Sequence, residues 1–192
     1  MTSVIYPATN LTATEQLVVE RGDGIYVYDK DGNRYIEGLA ALWCNALGYG
    51  NEELIETTAQ MMRDLSYTHT FAGRAHQVGI DLADKLATMV PTPDARVFFG
   101  CSGSDANDTI VKIIRYWSNV TGRPEKRKII AREYAYHGVT VAAGSLTSTP
   151  ANVTHFDPPR EALGIVHTDA PYFYRGAQPG ESEVAFVDRI VA

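Results

Sequence analysis

The spacing of apolar residues changes near residue 50 of the chain. Before that point, two runs rich in β-branched and aromatic residues, 25–28 and 34–36, flank the turn-forming segment 29–33. This arrangement predicts a β-hairpin within residues 24–37. Beyond residue 50, helical periodicity alternates with short apolar runs. The pattern therefore predicts an N-terminal hairpin followed by alternating helices and strands.

Four helices are predicted beyond the hairpin, at about 51–65, 75–90, 104–118 and 181–192. Asn51 can cap the first of these helices, and Pro91 ends the second. The face of the first helix expected to point inward contains Leu54, Thr58, Met61, Met62 and Leu65. The apolar stripe expected to point inward on the third contains Ile110, Ile113, Ile114 and Trp117.

Strands are predicted at 95–99, 128–131 and 164–167, between the helices. Strands that are separated by helices favour a mostly parallel sheet in a layered α/β fold. The last predicted helix is amphipathic, and in such a fold it should lead into another strand. We therefore expect the chain to be a fragment of a longer protein; the alternative is a complete protein that ends in a docked helix.

Composition narrows the range of function classes. The chain has 192 residues, 45% of them hydrophobic and 21% charged, which is typical of an ordinary globular domain and not of a disordered segment. The formal net charge of −6 disfavours general binding to nucleic acid or to anionic membranes. No apolar run approaches the roughly 18 residues of a membrane span.

The cysteines and the N-terminal segment favour a cytoplasmic protein. Cys44 and Cys101 form no zinc-binding pattern with histidines, so reduced thiols and no metal site are expected. Residues 1–7 lack the basic and apolar regions of a secretory signal.

The strongest chemical signal is the segment that contains Ser102, Gly103 and Ser104, between a predicted strand and a helix. A glycine lets the backbone approach an anion closely, and the helix N-terminus offers unpaired N–H groups. The segment has neither the lysine of a nucleoside-triphosphate loop nor the three glycines of a dinucleotide loop. It predicts a phosphate site; the alternative is a tight turn with a serine or aspartate cap.

Two aromatic segments are the other candidates. Tyr136 follows a predicted strand, where its ring can stack on a planar ligand, and the adjacent His137 could act as a base. The alternatives are a core tyrosine beside a turn glycine and a structural histidine. Trp43 lies in the segment 39–50, which has no clear helix or strand period. If this segment is functional, Trp43 forms the wall of a substrate pocket. The alternative is that the segment simply passes beneath the core.

Several short segments between about residues 20 and 175 occur in an order that resembles one protein family. They are 24–29 with 31–33, 42–44 through 48–50, 102–104 with 107–109, 116–117, 122–126 and 136–138. In this order they resemble the N-terminal part of the class III, pyridoxal-phosphate-dependent aminotransferases of fold type I. The similarity is strongest to the ω-transaminases that use pyruvate as amino acceptor.

The resemblance implies an α/β fold of the type I pyridoxal-phosphate transferases, with a mostly parallel sheet and helices on both faces, incomplete in this chain. Residues 1–50 would contribute a segment of the small domain with the hairpin. Residues 51–192 would be the first part of the large cofactor-binding domain. The family usually has glutamate where this chain has Asp105.

The resemblance also implies roles for individual residues. Cofactor-binding positions are Ser102, Gly103 and Ser104 on the phosphate, Tyr136 on the pyridine ring, and His137. Trp43 would line the substrate pocket. Phe71 would reach into the active site of the second subunit of a homodimer.

The lysine that forms the Schiff base in this family lies downstream of the matched region. No lysine of this chain stands at its position, so it is expected after Ala192, and the chain alone is predicted to be inactive. The intact enzyme would move an amino group from an amine or amino acid to a keto acid such as pyruvate. The alternatives are a decarboxylase or aminomutase of fold type I, or a non-catalytic assembly module.

Overall fold

A computed structural model of the chain describes residues 3–10, 12 and 15–192, so Met1 and Thr2 of the N-terminal segment lie outside it. The chain divides into two compact units, Met1–Leu82 and Ala83–Ala192. The strands are β1 (Val19–Asp23), β2 (Tyr26–Asp29), β3 (Arg34–Ile36), β4 (Ile129–Arg132) and β5 (Ile165–Thr168). The helices are α1 (Ala40–Trp43), α2 (Glu52–Asp64), α3 (Gln77–Ala87), α4 (Gly103–Val120), α5 (Val141–Leu146), α6 (Pro150–Val153), α7 (Phe173–Gly176) and α8 (Glu183–Val191).

The predicted hairpin is confirmed as β2 and β3, which pair antiparallel with Tyr26 opposite Ile36. Asp29 holds its turn together, because one carboxylate oxygen accepts hydrogen bonds from the backbone N–H groups of Asp31 and Asn33 at 2.9 and 2.8 Å. Strand β1 adds to the other edge of β2, also antiparallel. Sequence reasoning missed β1 because a glycine and three charged residues make up most of it.

The segment 39–50, which has no periodic pattern, contains a turn of unusual handedness. Ala40, Ala41, Leu42 and Trp43 all have positive φ angles, between 48° and 69°. This conformation costs each non-glycine residue roughly 1–2 kcal/mol. The turn is held by a hydrogen bond from the Trp43 N–H to the Leu39 carbonyl at 2.8 Å. Left-handed backbone explains why neither helical nor strand periodicity is present here.

Helix α2 begins where the sequence predicts, with the Asn51 side chain accepting a hydrogen bond from the Leu54 N–H at 3.1 Å. Its predicted inward face, however, is not buried: α2 has no buried residue. An apolar stripe shows only which face can be buried and does not supply the partner that covers it. The second predicted helix is confirmed as α3, which ends shortly before Pro91.

The second unit is built on the parallel pair β4 and β5, in which Ile129 lies opposite Ile165 and Ala131 opposite His167. This confirms the expectation of parallel strands. One face of the pair packs against α4 and α5, and the buried apolar core consists of Val111, Ala131, Ala142, Leu146 and Ile165. Helices α5, α6 and α7 were not predicted, because each has six residues or fewer.

The strand predicted at 95–99 is wrong for this structure. Residues 95–100 form no ladder, and Phe98 and Phe99 are exposed. A strand needs a hydrogen-bonded neighbour, and the described part of the chain places none beside this segment. The apolar run alone could not supply that neighbour.

The inward face predicted for α4 is also wrong. Ile110, Ile113 and Trp117 of the predicted stripe are each about half exposed, while Val111 and Ser118 are buried. Instead, the face of α4 that packs on α5 carries side chains such as Asp108, which hydrogen-bond to α5 and to the segment just before α5. Long-range hydrogen bonding therefore selected a more polar face than hydrophobicity would select.

The last predicted helix is confirmed as α8. The Ser182 side chain caps it by accepting a hydrogen bond from the Ala185 N–H at 3.2 Å. Phe186 is its one buried residue and packs edge-on against the Phe173 ring at 5.6 Å between centroids. A guanidinium–carboxylate contact of 2.8 Å between Arg189 and Glu181 ties α8 to the preceding loop.

None of the helices in the described ranges is both long enough and apolar enough to cross a membrane.

Candidate functional site

Two side chains shape the start of α4. The Ser102 hydroxyl oxygen accepts a hydrogen bond from the Asp105 N–H at 3.1 Å. In return, the Asp105 carboxylate accepts one from the Cys101 N–H at 3.0 Å. This reciprocal arrangement is close to a capping box, in which an N-cap serine and an acid three residues later pair with each other's backbone. Asp105 thus serves to fix the turn.

The first turn of α4 leaves donors available for an anion. The N–H groups of Gly103 and Ser104 have no hydrogen-bond acceptor among the described residues, as expected for the first residues of a helix. The Ser102 and Ser104 hydroxyl oxygens each accept a backbone N–H, which leaves their own protons available to donate. This set of donors, at the positive end of an 18-residue helix, fits a phosphate group.

The segment 136–140 lies directly against this helix start. The Ser104 hydroxyl oxygen accepts a hydrogen bond from the Val139 N–H at 3.1 Å. One turn further along α4, the Asn107 side-chain amide donates to the His137 carbonyl at 2.7 Å. The structure therefore brings together two regions that the sequence predicts separately, 102–104 and 136–137.

Close approach at this contact requires a glycine at position 138. Gly138 has a φ of +127°, and a Cβ atom added there would overlap the Ser104 side chain and lie 2.9 Å from the Ser104 Cα. Because the Ser104 hydroxyl oxygen also accepts a hydrogen bond from the Val139 N–H, a shift that relieved this overlap would disturb the contact. Gly138 thus sets the distance between the helix start and the segment that carries Tyr136.

The two ring-bearing candidates in this segment differ in exposure. The Tyr136 side chain is exposed at the surface of the second unit. His137 is partly buried, and its backbone is fixed at both ends: its N–H donates to the Thr147 hydroxyl at 2.9 Å and its carbonyl accepts from Asn107. The segment therefore presents an open aromatic side chain on an anchored backbone.

The substrate-pocket candidates lie in the first unit. Trp43 is 77% exposed and Phe71 is 80% exposed. Trp43 is held at the end of the left-handed turn, and the Phe71 N–H donates to the His69 ring at 3.3 Å. Their roles remain predictions.

Sequence reasoning missed the residues that join these segments. Asp108 accepts hydrogen bonds from the Thr140 hydroxyl at 2.7 Å and from the Ala143 N–H at 2.8 Å. Thr147 is completely buried and bonds to His137 and Gly138. The available signal was the polar series Ser104, Asn107 and Asp108, which falls on one face of α4 at helical spacing.

The described part of the chain contains no candidate metal site. Within the described ranges, no group of three or more histidine, cysteine, aspartate or glutamate side chains could hold a metal ion. Both cysteines are free and exposed.

Known proteins are similar to this chain over most of its length. The sequence profile of a protein family described as Aminotransferase class-III matches residues 8–187. The diaminobutyrate–2-oxoglutarate transaminase of Halomonas elongata is 44% identical over 171 residues, which cover 88% of this chain and 36% of that protein. The mitochondrial gamma-aminobutyrate transaminase 1 of Oryza sativa subsp. japonica is 42% identical over 180 residues, which cover 93% of this chain and 34% of that protein.

Solved structures are similar as well. The ω-transaminase of Pseudomonas jessenii in complex with PMP matches with a TM-score of 0.90 and 45% sequence identity, over 97% of this chain and 42% of that one. The chain spans about a third of the length of the curated relatives that it matches.

Proposed function

Because the chain belongs to the class III aminotransferase family, we propose that it is the N-terminal part of a transaminase that moves an amino group from an amine or amino acid to a keto acid such as pyruvate. The cofactor of this family is pyridoxal 5′-phosphate, and the fold is the α/β fold of the type I transaminases. The single observation that carries the proposal is the contact between the start of α4 and the segment 136–140, which joins phosphate donors to an exposed aromatic residue.

The phosphate group of the cofactor would be held at the start of α4. The Gly103 and Ser104 N–H groups and the Ser102 and Ser104 hydroxyls supply four donors there. Hydrogen bonds to charged groups contribute roughly 1.5–3 kcal/mol each. The positive end of the helix dipole adds attraction for the anion. The first turn carries no basic side chain, and its one acidic side chain, Asp105, is engaged with the Cys101 N–H.

Orientation of the cofactor ring would come from the segment 136–137. Tyr136 stacks on one face of the pyridine ring in this proposal, and a stacked ring pair contributes about 0.5–1.5 kcal/mol beyond the burial of its area. His137 borders the ring from the next position along the same anchored backbone. When bound, the cofactor supplies the electron sink that lets an amino group leave one substrate and join another.

The first unit would contribute to substrate binding. Trp43 lines the pocket for the side chain of the amine, and Phe71 enters the active site of the second subunit of a homodimer. The strained left-handed turn at 40–43 supports this assignment for Trp43, because such strain occurs preferentially at functional sites. We also place the protein in the cytoplasm, where both free cysteines would stay reduced.

The chain's own residues bind and orient the cofactor, but the proton-transfer lysine is expected in the further length that the relatives have. Two further groups are expected in the same additional length: an acid that would pair with the pyridine nitrogen of the cofactor, and an arginine that would bind the substrate carboxylate. In the absence of that lysine, the 192-residue chain would show no transaminase activity by itself.

The test uses the full-length protein, purified with pyridoxal 5′-phosphate and supplied with an amine or an amino acid, in the presence and absence of pyruvate. Formation of alanine supports a transaminase. Release of CO₂ from an amino acid without alanine would indicate a decarboxylase, and rearrangement of the amine without a keto acid would indicate an aminomutase. A protein that binds no cofactor would point to an assembly module.

The assignment of the phosphate site has its own test in the same protein. The Ser104→Ala variant should bind the cofactor more weakly by roughly 1–3 kcal/mol, because it loses both the hydroxyl donor to the phosphate and the acceptor of the Val139 N–H. Ser145→Ala is the matched control, since the Ser145 hydroxyl bonds only within α5, to the Val141 carbonyl at 2.7 Å. Equal cofactor affinity in Ser104→Ala and Ser145→Ala would place the phosphate elsewhere.

A further inference from the structure

The backbone of Tyr136 is anchored on both sides by two consecutive buried residues. Ahead of it, the Ala135 carbonyl accepts a hydrogen bond from the Ser148 N–H at 2.9 Å. Behind it, the His137 N–H donates to the Thr147 hydroxyl at 2.9 Å. The peptide groups that flank Tyr136 are therefore both bound by the chain just after α5.

Thr147 also binds the next peptide group. Its hydroxyl oxygen lies 3.0 Å from the Gly138 carbonyl oxygen and 3.0 Å from the Ala143 carbonyl oxygen, so the single hydroxyl proton is shared between these two acceptors. Thr147 is 0% exposed, so its hydroxyl has no water to replace these partners. If the loop moved, Thr147 would keep the Ala143 carbonyl but lose the His137 N–H and the Gly138 carbonyl. Polar groups that lose hydrogen-bond partners away from water cost free energy, and this favours one position of the loop.

The opposite side of the loop is held by α4. The Asn107 amide donates to the His137 carbonyl at 2.7 Å, and the Val139 N–H donates to the Ser104 hydroxyl oxygen at 3.1 Å. Residues 137–139 thus have hydrogen bonds to α4 on one side and to Thr147 on the other. No bond in this set involves the Tyr136 ring, which leaves the ring free for a ligand while its backbone stays fixed.

We propose that Thr147 is a positioning residue for Tyr136: its hydroxyl holds the His137 and Gly138 peptide groups so that the Tyr136 ring is presented to the cofactor. This inference rests on the proposed function, in which Tyr136 stacks on the pyridine ring. Asn107 supports the same loop position from α4. Neither Thr147 nor Asn107 touches the cofactor in this proposal; both act through the backbone of the loop.

The test measures cofactor affinity and cofactor orientation in the full-length apo-enzyme. Absorbance titration with pyridoxal 5′-phosphate gives the dissociation constant. The circular dichroism of the cofactor band, divided by the bound cofactor, reports orientation, because free cofactor is achiral. A variant that only lowers the folded fraction leaves this ratio unchanged.

Thr147→Val keeps the shape of the side chain and removes the hydroxyl. We expect about twofold to tenfold weaker binding, the range that corresponds to loss of a stacked ring pair, together with a changed dichroism ratio. Thr147→Ser should restore both values. Ser145→Ala is the control, because Ser145, two residues earlier within α5, is equally buried but its hydroxyl bonds only to Val141. If Thr147→Val does not fold, Asn107→Leu tests the same loop position from α4, with the same expected result.

A double variant separates this inference from the proposed function. In the Tyr136→Ala background, Thr147→Val should have no further effect, since Thr147 acts through Tyr136. If Tyr136→Ala itself leaves affinity and dichroism unchanged, the stacking role in the proposed function is wrong. The positioning role is overturned if Tyr136→Ala weakens binding while Thr147→Val and Asn107→Leu behave like the Ser145→Ala control. It is also overturned if Thr147→Val has its full effect in the Tyr136→Ala background.

Discussion

The Asp108 carboxylate on α4 accepts a hydrogen bond from the Ala143 N–H at 2.8 Å, although the two residues are 35 positions apart in the chain. Ala143 is the third residue of α5, whose own N-cap residue, Thr140, makes no side-chain capping bond. Instead, the Thr140 hydroxyl donates to the same Asp108 oxygen. A side chain on one helix thus caps its neighbour, and this keeps the loop before α5 beside the start of α4.

Removal of this cap should loosen α5 locally. We expect Asp108→Ala to reduce the protection of the Ala143 amide against hydrogen exchange, by about 0.5–2 kcal/mol for a lost N-terminal cap. Asp108→Asn should retain most of the protection, because its side-chain oxygen can still accept the bond. Asp84→Ala on α3 is a suitable control. Unchanged exchange at Ala143 in the Asp108→Ala protein would contradict the capping role.

Gly138 should tolerate no side chain. In Gly138→Ala, the added methyl group would collide with Ser104, and alanine is disfavoured at the φ of +127°. The segment 138–140 should move away from α4, and both thermal stability and cofactor affinity of the full-length protein should fall. In contrast, Gly79→Ala places its methyl group in open space inside α3 and should stabilise by roughly 0.5–1 kcal/mol. Equal melting temperatures for the two variants would disprove the collision.

The ring of Tyr136, and not its hydroxyl, should govern cofactor affinity. Tyr136→Phe should bind pyridoxal 5′-phosphate about as well as wild type, because the stacking face remains. Tyr136→Ala should bind about tenfold more weakly, which corresponds to about 1.4 kcal/mol. Absorbance titration of the full-length apo-enzyme measures both constants. Equal losses in the two variants would show that the hydroxyl carries the role.

Glu181 and Arg189 should make the docking of α8 sensitive to acid. The pKa of Glu181 is lowered from its ordinary value of 4.5 to about 2, chiefly because its carboxylate accepts hydrogen bonds from the Arg189 guanidinium and also from the Gln178 N–H. A carboxyl group whose pKa is lower in the folded protein stabilises the fold at pH above 4.5, and this contribution is lost as the pH falls from 4.5 towards 2.

The Arg189→Met variant tests that pair. Without the guanidinium, the pKa of Glu181 should rise towards its ordinary value, and the acid-induced loss of α8 should begin at higher pH. A pH titration of the Glu181 side-chain carbon signal by NMR measures the pKa directly. Arg74→Met, in the other unit, should leave the Glu181 titration unchanged. A Glu181 pKa that stays near 2 in Arg189→Met would assign the shift to the Gln178 N–H.

The turn between β2 and β3 and the N-terminal caps of α2 and α8 are determined by residues that are close together in the sequence. Asp29 bonds to Asp31 and Asn33, Asn51 bonds to Leu54, and Ser182 bonds to Ala185. Each bond joins residues no more than four positions apart, so the residue types and their spacing contain the information. The candidate residues 102–104 and 136–137 were likewise visible as a glycine–serine segment and an aromatic segment.

Only the tertiary structure decided how these segments meet. The hydrogen bonds between Ser104 and Val139, between Asn107 and His137 and between Asp108 and Ala143 each join residues that are 30 or more positions apart. Hydrophobic periodicity shows which face of a helix can be buried, but a face whose polar side chains are hydrogen-bonded can pack against a neighbour as well. Helix α4 packs such a face, on which Ser104, Asn107 and Asp108 are partly buried. For the same reason, the apolar run 95–99 predicted a strand that the described chain does not form, because a strand depends on a neighbour that its own residues do not specify.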